Sequence, residues 1–125
     1  MATVLIIEDD ADIAYFERQA LLAEGHTVEI AEDGPTGLLA AQRLNPDVIV
    51  LDVALPLFDA NAVLYGLDLT PGLRGVSVVV VSANVEHLDE RARARVEAII
   101  PKPFDLDHFV KTVRQVLQRD RQVRR

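Results

Sequence analysis

The run Asp47-Val48-Ile49-Val50-Leu51-Asp52 restricts the fold more than any other stretch of the chain. Four consecutive branched apolar residues between two aspartates describe a strand buried on both faces. That pattern arises when a parallel sheet is covered by helices on either side. Asp52 ends the strand, because the chain next turns through Ala54, Leu55 and Pro56. A carboxylate at the C-terminal end of such a strand stands where open α/β sheets bind their ligands. Aspartates also cap turns, and this stretch alone leaves both roles open.

The same kind of strand recurs at Thr3–Ile7, Thr27–Ala31, Val76–Val81 and, minimally, Ile99–Ile100. Helical patterns fill the intervals. The first follows Glu8-Asp9-Asp10, with Ile13, Phe16, Ala20 and Leu21 on its apolar face, Glu17, Arg18 and Glu24 off it, and Gly25 as its stop. The second opens near Pro35 with Leu38, Ala41 and Leu44 inward and breaks at Asn45-Pro46. A third is expected over Asp59–Leu69 and a short, arginine-rich fourth over Glu86–Val96, with Leu88, Ala92 and Val96 inward. The last runs from about Asp105, with Leu106, Phe109, Val110, Val113, Val116 and Leu117 inward. Five βα units imply one parallel sheet with helices on both faces.

Charge narrows the function. Residues 1–60 carry twelve Asp/Glu against Arg18 and Arg43, while residues 61–125 carry eight against eleven Lys/Arg. An acidic first half argues against direct nucleic-acid binding by this domain and for carboxylates gathered round a cation. The chain has no cysteine, hence no disulfide or thiolate chemistry. No segment approaches the ~20 apolar residues of a membrane span, and no signal peptide precedes the first strand, so no membrane role and a cytoplasmic location are expected. Arg119–Arg125 is basic, either a solvated helix end or the start of a linker.

In a parallel sheet every strand ends at the same edge. That edge would collect Glu8 and Asp9 from strand one, Asp52 from strand three, Ser82 from strand four and Lys102 from strand five. Carboxylates brought together repel by about 1–4 kcal/mol per close pair, which a cation would offset. Hard oxygen donors without His or Cys favour Mg²⁺ or Mn²⁺ over zinc. Lys102 is a point charge suited to a phosphoryl oxygen, and Ser82 can donate one hydrogen bond. Each residue alone has a plainer role: Asp10 or its neighbours as a helix cap, Ser82 in a turn, Lys102 in a salt bridge to Asp52. Together they are the parts for phosphoryl transfer to Asp52.

Ile6-Ile7-Glu8-Asp9-Asp10, Leu51-Asp52 with Leu55-Pro56 and Asp59, Val81-Ser82-Ala83 and Lys102-Pro103-Phe104 resemble the signature positions of response-regulator receiver domains of two-component signal transduction. The resemblance covers residues 1–119, leaving 120–125 as a basic tail or truncated linker. It implies a flavodoxin-like, doubly wound (βα)5 three-layer sandwich with strand order 2-1-3-4-5. It also implies a signalling phosphoprotein rather than an enzyme acting on outside substrates. By that resemblance Asp52 is the phospho-acceptor. Asp9 and Asp52 are metal ligands, helped by Glu8 and the backbone carbonyl of Ala54. Lys102 holds phosphoryl oxygens, Ser82 swings toward the phosphate, and the Lys102–Pro103 peptide is cis. Ala54 and Asn84 stand at positions that tune dephosphorylation. Ile99 stands where the family usually carries an aromatic switch residue, Ala60 where a glycine is common, and Ser82 where threonine is more frequent. The 20-residue interval from Ser82 to Lys102 is short for the family, which implies a stubby or displaced fourth helix.

The implied partners are a sensor histidine kinase or histidine phosphotransfer protein, and a downstream protein target or the chain's own effector domain. Phosphorylation-dependent homodimerisation is a further expectation. The competing reading is a receiver-like adaptor acting without phosphorylation, with a fragment of a DNA-binding response regulator as another. A haloacid-dehalogenase-like phosphatase would need an aspartate at position 54, where alanine stands, and no glycine-rich loop follows strand one to bind a nucleotide.

Overall fold

The computed structural model describes residues 1–52, 59–83 and 88–123, with side-chain surroundings up to Arg119. Strands β1 (Thr3–Ile7), β2 (Thr27–Ala31), β3 (Val48–Asp52), β4 (Ser77–Ser82) and β5 (Ala98–Pro101) alternate with helices α1 (Ala11–Ala23), α2 (Gly34–Leu44), α3 (Ala60–Leu69), α4 (Glu90–Arg95) and α5 (Leu106–Val123). The sheet is parallel, in the order β2-β1-β3-β4-β5. This is the expected flavodoxin-like, doubly wound arrangement. The helix α5 continues unbroken through residues 120–123.

Strand alternation divides the interior into two layers, since successive side chains point to opposite faces. Leu5, Ile7, Ile49, Leu51, Val78 and Val80 face Ala40, Ala41, Val63, Leu64, Leu67, Leu88 and Ala92. Val4, Ile6, Val48, Val50, Val79, Val81 and Ile100 face Leu21, Phe109, Val113, Val116 and Leu117. All five residues of β3 are buried, as a central strand covered on both sides requires. The helix α2 comes close enough to β1 that a Cβ on Gly37 would stand 2.5 Å from Ile7 Cδ1. Left-handed conformations at Gly25 (φ +91°) and Asn45 (φ 48°) end α1 and α2, where the sequence placed its stops.

Two helix faces differ from expectation. In α1 the inward residues are Ala14, Glu17 and Leu21, whereas Phe16 is 57% exposed. The helix is anchored by its Asp10 cap and rotates Ala14 and Leu21 onto the sheet, and the residue one turn between them is Glu17. In α5, Leu106 is 40% exposed rather than inward, because it is the first residue of the helix and overhangs the sheet edge.

The helix α4 is short, as the Ser82–Lys102 interval implied. The expected start at Glu86 lies outside the described residues; helix begins at Glu90 after an Asp89 cap. With only Ala92 buried along its length, α4 is held to α3 largely by polar contacts. Asp89 accepts the Tyr65 hydroxyl, Asn61 Oδ1 accepts from Asp89 N–H at 3.1 Å, and Arg95 Nε donates to Asp68 Oδ1 at 2.8 Å.

Candidate functional site

Strand register decides which side chains meet. Ile7 pairs with Leu51, Asp52 with Val81 and Ser82 with Pro101, so β1, β3, β4 and β5 end within one step of each other. Glu8 follows the end of β1, Asp52 and Ser82 are the last residues of β3 and β4, and Lys102 follows β5. Glu8, Asp9 and Asp52 bring one carboxylate oxygen apiece within 4.8 Å of one another. Glu8, Asp52 and Ser82 are buried, while Asp9 opens to solvent. That combination gives a site with a closed floor and an open mouth.

Lys102 closes the far side. Its backbone N–H donates to Ser82 O at 2.9 Å, and its Nζ donates to Asp52 Oδ2 at 2.8 Å and Glu8 Oε1 at 3.4 Å. The following Lys102–Pro103 peptide is cis, as the resemblance implied. Burial alone would depress the Lys102 ammonium, but the Asp52 hydrogen bond and the charges of Glu8 and Asp52 outweigh it and raise its pKa. Burial, followed by the shared hydrogen bond and charge of Asp52, pushes the Glu8 carboxyl up to about 9. Lys102 and the Asp10 N–H pull the other way. The Glu8 carboxyl is thus shifted toward its protonated form beside Asp52. The neighbouring Asp10 turns away to cap α1, accepting from Asp12 and Ile13 N–H at 3.0 and 3.1 Å.

Oxygen donors that converge without histidine or cysteine fit a hard divalent cation. Glu8, Asp9 and Asp52 are the residues that could hold it. The Ala54 carbonyl and Asn84, both singled out from the sequence, lie outside the described residues. Ser82 lies at the end of β4, one strand across from Asp52. Ile99 lies on β5 with 39% of its surface exposed, so it is not sealed core. Ile99→Tyr is expected to fold normally, within about 1 kcal/mol of the native stability; a larger loss in urea denaturation would show that a ring is not accommodated there.

One buried titratable residue was not foreseen. Glu17 is 1% exposed and both its carboxyl oxygens lack a hydrogen-bond partner. Burial pushes its pKa up to about 8, with Asp52 adding to the rise and Lys102 opposing it. The i, i+3, i+7 spacing of Ala14, Glu17 and Leu21 was the available signal, outweighed in the sequence by the apolar weight of Phe16.

The fold is a parallel five-stranded sheet with an acid cluster and a lysine at its carboxyl edge. Residues 4–114 match the family model for the response regulator receiver domain, and the chain belongs to that family. It is 34% identical over 125 residues to the transcriptional regulatory protein KdpE of Mycobacterium tuberculosis, covering 96% of this chain and 53% of that protein. It is 36% identical over 121 residues to the KDP operon transcriptional regulatory protein KdpE of Escherichia coli, covering 95% and 52%. The chain thus spans about half the length of the curated relatives it matches. Among solved structures, NtrX from Brucella abortus superposes with a TM-score of 0.87 at 26% identity, over 98% of this chain and 28% of that one. The chemotaxis response regulator CheY4 of Vibrio cholerae shares the fold, with a TM-score of 0.85 at 24% identity over 93% and 98%. Among the described residues, no helix is long and apolar enough to cross a membrane.

Proposed function

We propose that this receiver accepts a phosphoryl group on Asp52 from the phosphohistidine of a sensor histidine kinase or histidine phosphotransfer protein. The observation that carries this reading is the placement of Asp52: buried, within 4.8 Å of the Glu8 and Asp9 carboxylates and 2.8 Å from Lys102 Nζ. Asp9 and Asp52, backed by Glu8 and the Ala54 carbonyl, would hold Mg²⁺ or Mn²⁺, which when bound supplies charge neutralisation at the phosphoryl oxygens. An Asp52 oxygen attacks phosphorus in line, a P–O bond forms, and the P–N bond to the donor imidazole breaks. Lys102, fully charged at neutral pH, exchanges part of its contact with Asp52 for a phosphoryl oxygen. The Ser82 hydroxyl donates to a second oxygen, which couples β4 to the phosphorylated state. Asn84 would tune how fast water removes the phosphoryl group.

The output is a shift between two arrangements of the α4, β5 and α5 face, read by a downstream protein, a second copy of this domain or an effector domain of the same protein. The relatives named as transcriptional regulators, and the half-length coverage of them, support the last, with residues 120–125 leading into a linker. A cytoplasmic setting follows from this role. A receiver-like adaptor working without phosphorylation is the second reading, favoured by Ile99 and by a six-residue α4.

The metal site is tested by stability. Millimolar Mg²⁺ is expected to raise the melting temperature by about 2–6 °C, as a ligand of the native state alone. Removal with EDTA should reverse the shift, and no shift in differential scanning fluorimetry would count against the site.

A further inference from the structure

In the chain, α4 stands between Ser82, the last residue of β4, and Lys102, whose Nζ donates to Asp52. It is six residues long with only Ala92 buried, too short to be stable on its own. Both its ends are tied to the α3 side of the molecule. At the N-terminus, Asp89 Oδ1 accepts the Ala92 N–H at 2.8 Å and caps the helix. The other oxygen of that carboxylate accepts the Tyr65 hydroxyl. The Asp89 N–H donates to Asn61 Oδ1 at 3.1 Å, and the Arg91 guanidinium lies 5.4 Å from the Tyr65 ring centroid. At the C-terminus, Arg95 donates to Asp68 Oδ1 at 2.8 Å and to the Leu73 carbonyl at 3.3 Å. Directed hydrogen bonds fix one position and are lost when a helix moves. Each is weak at an exposed surface, so together they bias the position of α4 without locking it.

We propose that Tyr65 and Asn61 form a latch on Asp89, which holds α4 in its resting place against α3 and opens when Asp52 is phosphorylated. This rests on the proposed phosphorylation of Asp52. A shift of α4 along α3 separates Asp89 from the Tyr65 hydroxyl and from Asn61. The one buried side chain of α4, the methyl group of Ala92, offers little apolar resistance to that movement. The latch is therefore a differential contact, made in the resting arrangement and absent from the phosphorylated one. Any group on Asp52 that favours the shifted arrangement must overcome it, and its apparent affinity falls accordingly. Linkage makes the coupling reciprocal, so weakening the latch tightens binding of a phosphoryl mimic at Asp52. Tyr65 acts through Asp89 and α4 rather than on the phosphoryl group, which makes it a positioning residue.

The test is titration calorimetry of the whole chain with beryllofluoride in saturating Mg²⁺, beside urea denaturation of the same proteins. Tyr65→Phe removes the hydroxyl and keeps the ring beside Arg91. It is expected to lower the Kd for beryllofluoride about 2–10-fold, the worth of one hydrogen bond made only at rest. Asp89→Ser keeps a capping residue but removes the oxygen to which Tyr65 donates, so Tyr65→Phe should have no further effect in that background. A Kd that Tyr65→Phe leaves unchanged or raises overturns the latch. A purely structural contact gives that result, with a lower urea midpoint and the same Kd. A gain in affinity that persists in the Asp89→Ser background also overturns it. No beryllofluoride binding by wild type overturns the phosphorylation reading and the latch with it. If Tyr65→Phe does not fold, Asn61→Ala, which removes the acceptor of the Asp89 N–H, is read by the same Kd.

Discussion

Glu17→Leu is expected to stabilise the fold, by about 2–4 kcal/mol at pH 8 and only about 1 kcal/mol at pH 5. The wild-type carboxyl titrates near 8 in the folded chain against an ordinary 4.5. Between those values the folded protein keeps a proton that the unfolded chain has released, so raising the pH through this window favours unfolding. The stability that depends on the neutral acid is fully present below pH 4.5 and is lost by about pH 8. Leucine removes the titration and fills a similar volume among apolar neighbours. Urea denaturation in EDTA at the two pH values measures the difference, and Glu8 contributes equally to both proteins. An equal effect of the substitution at pH 5 and pH 8 would mean that Glu17 is ionised in the native state throughout.

Phe109→Ala is expected to cost about 3–5 kcal/mol, the usual range for emptying a buried ring site. Phe109 is fully buried at the centre of the layer between the sheet and α5, and its ring centroid lies 5.6 Å from that of Phe104. Phe104 follows directly on Lys102-Pro103, so the cavity would also loosen the segment that aims the lysine at Asp52. Loss of stability in urea should therefore be accompanied by a weaker Mg²⁺-induced rise in melting temperature. A loss under about 1 kcal/mol would show that the two rings do not close this layer.

The sheet was legible because its strands are short apolar runs ending in polar residues at a single edge. Val48–Asp52 and Ser77–Ser82 carry that information locally. The convergence of Glu8, Asp9, Asp52, Ser82 and Lys102 followed from topology, since parallel strands share a carboxyl edge whatever packs on them. Helix faces were less legible. In α1 the apolar count favoured Phe16 over Glu17, yet the cap at Asp10 and the packing of Ala14 and Leu21 set the rotation. A single carboxylate buried on the inward face reads, in hydrophobic periodicity, as a polar position on the outer face. The short α4 could be inferred from chain length between Ser82 and Lys102, but not its attachment to α3 through Tyr65, Asp68 and Asn61, which depends on side chains brought together from 24 to 28 residues apart.

The central claim is phosphoryl transfer to Asp52, and intact mass after incubation with Mg²⁺ and acetyl phosphate tests it most directly. Wild type is expected to gain the mass of one phosphoryl group, while Asp52→Asn gains none and EDTA prevents the gain. An adduct that persists in Asp52→Asn would contradict the assignment of the acceptor. Absence of any wild-type adduct, together with failure to bind beryllofluoride, would contradict the phosphorylation switch and leave the adaptor reading in its place.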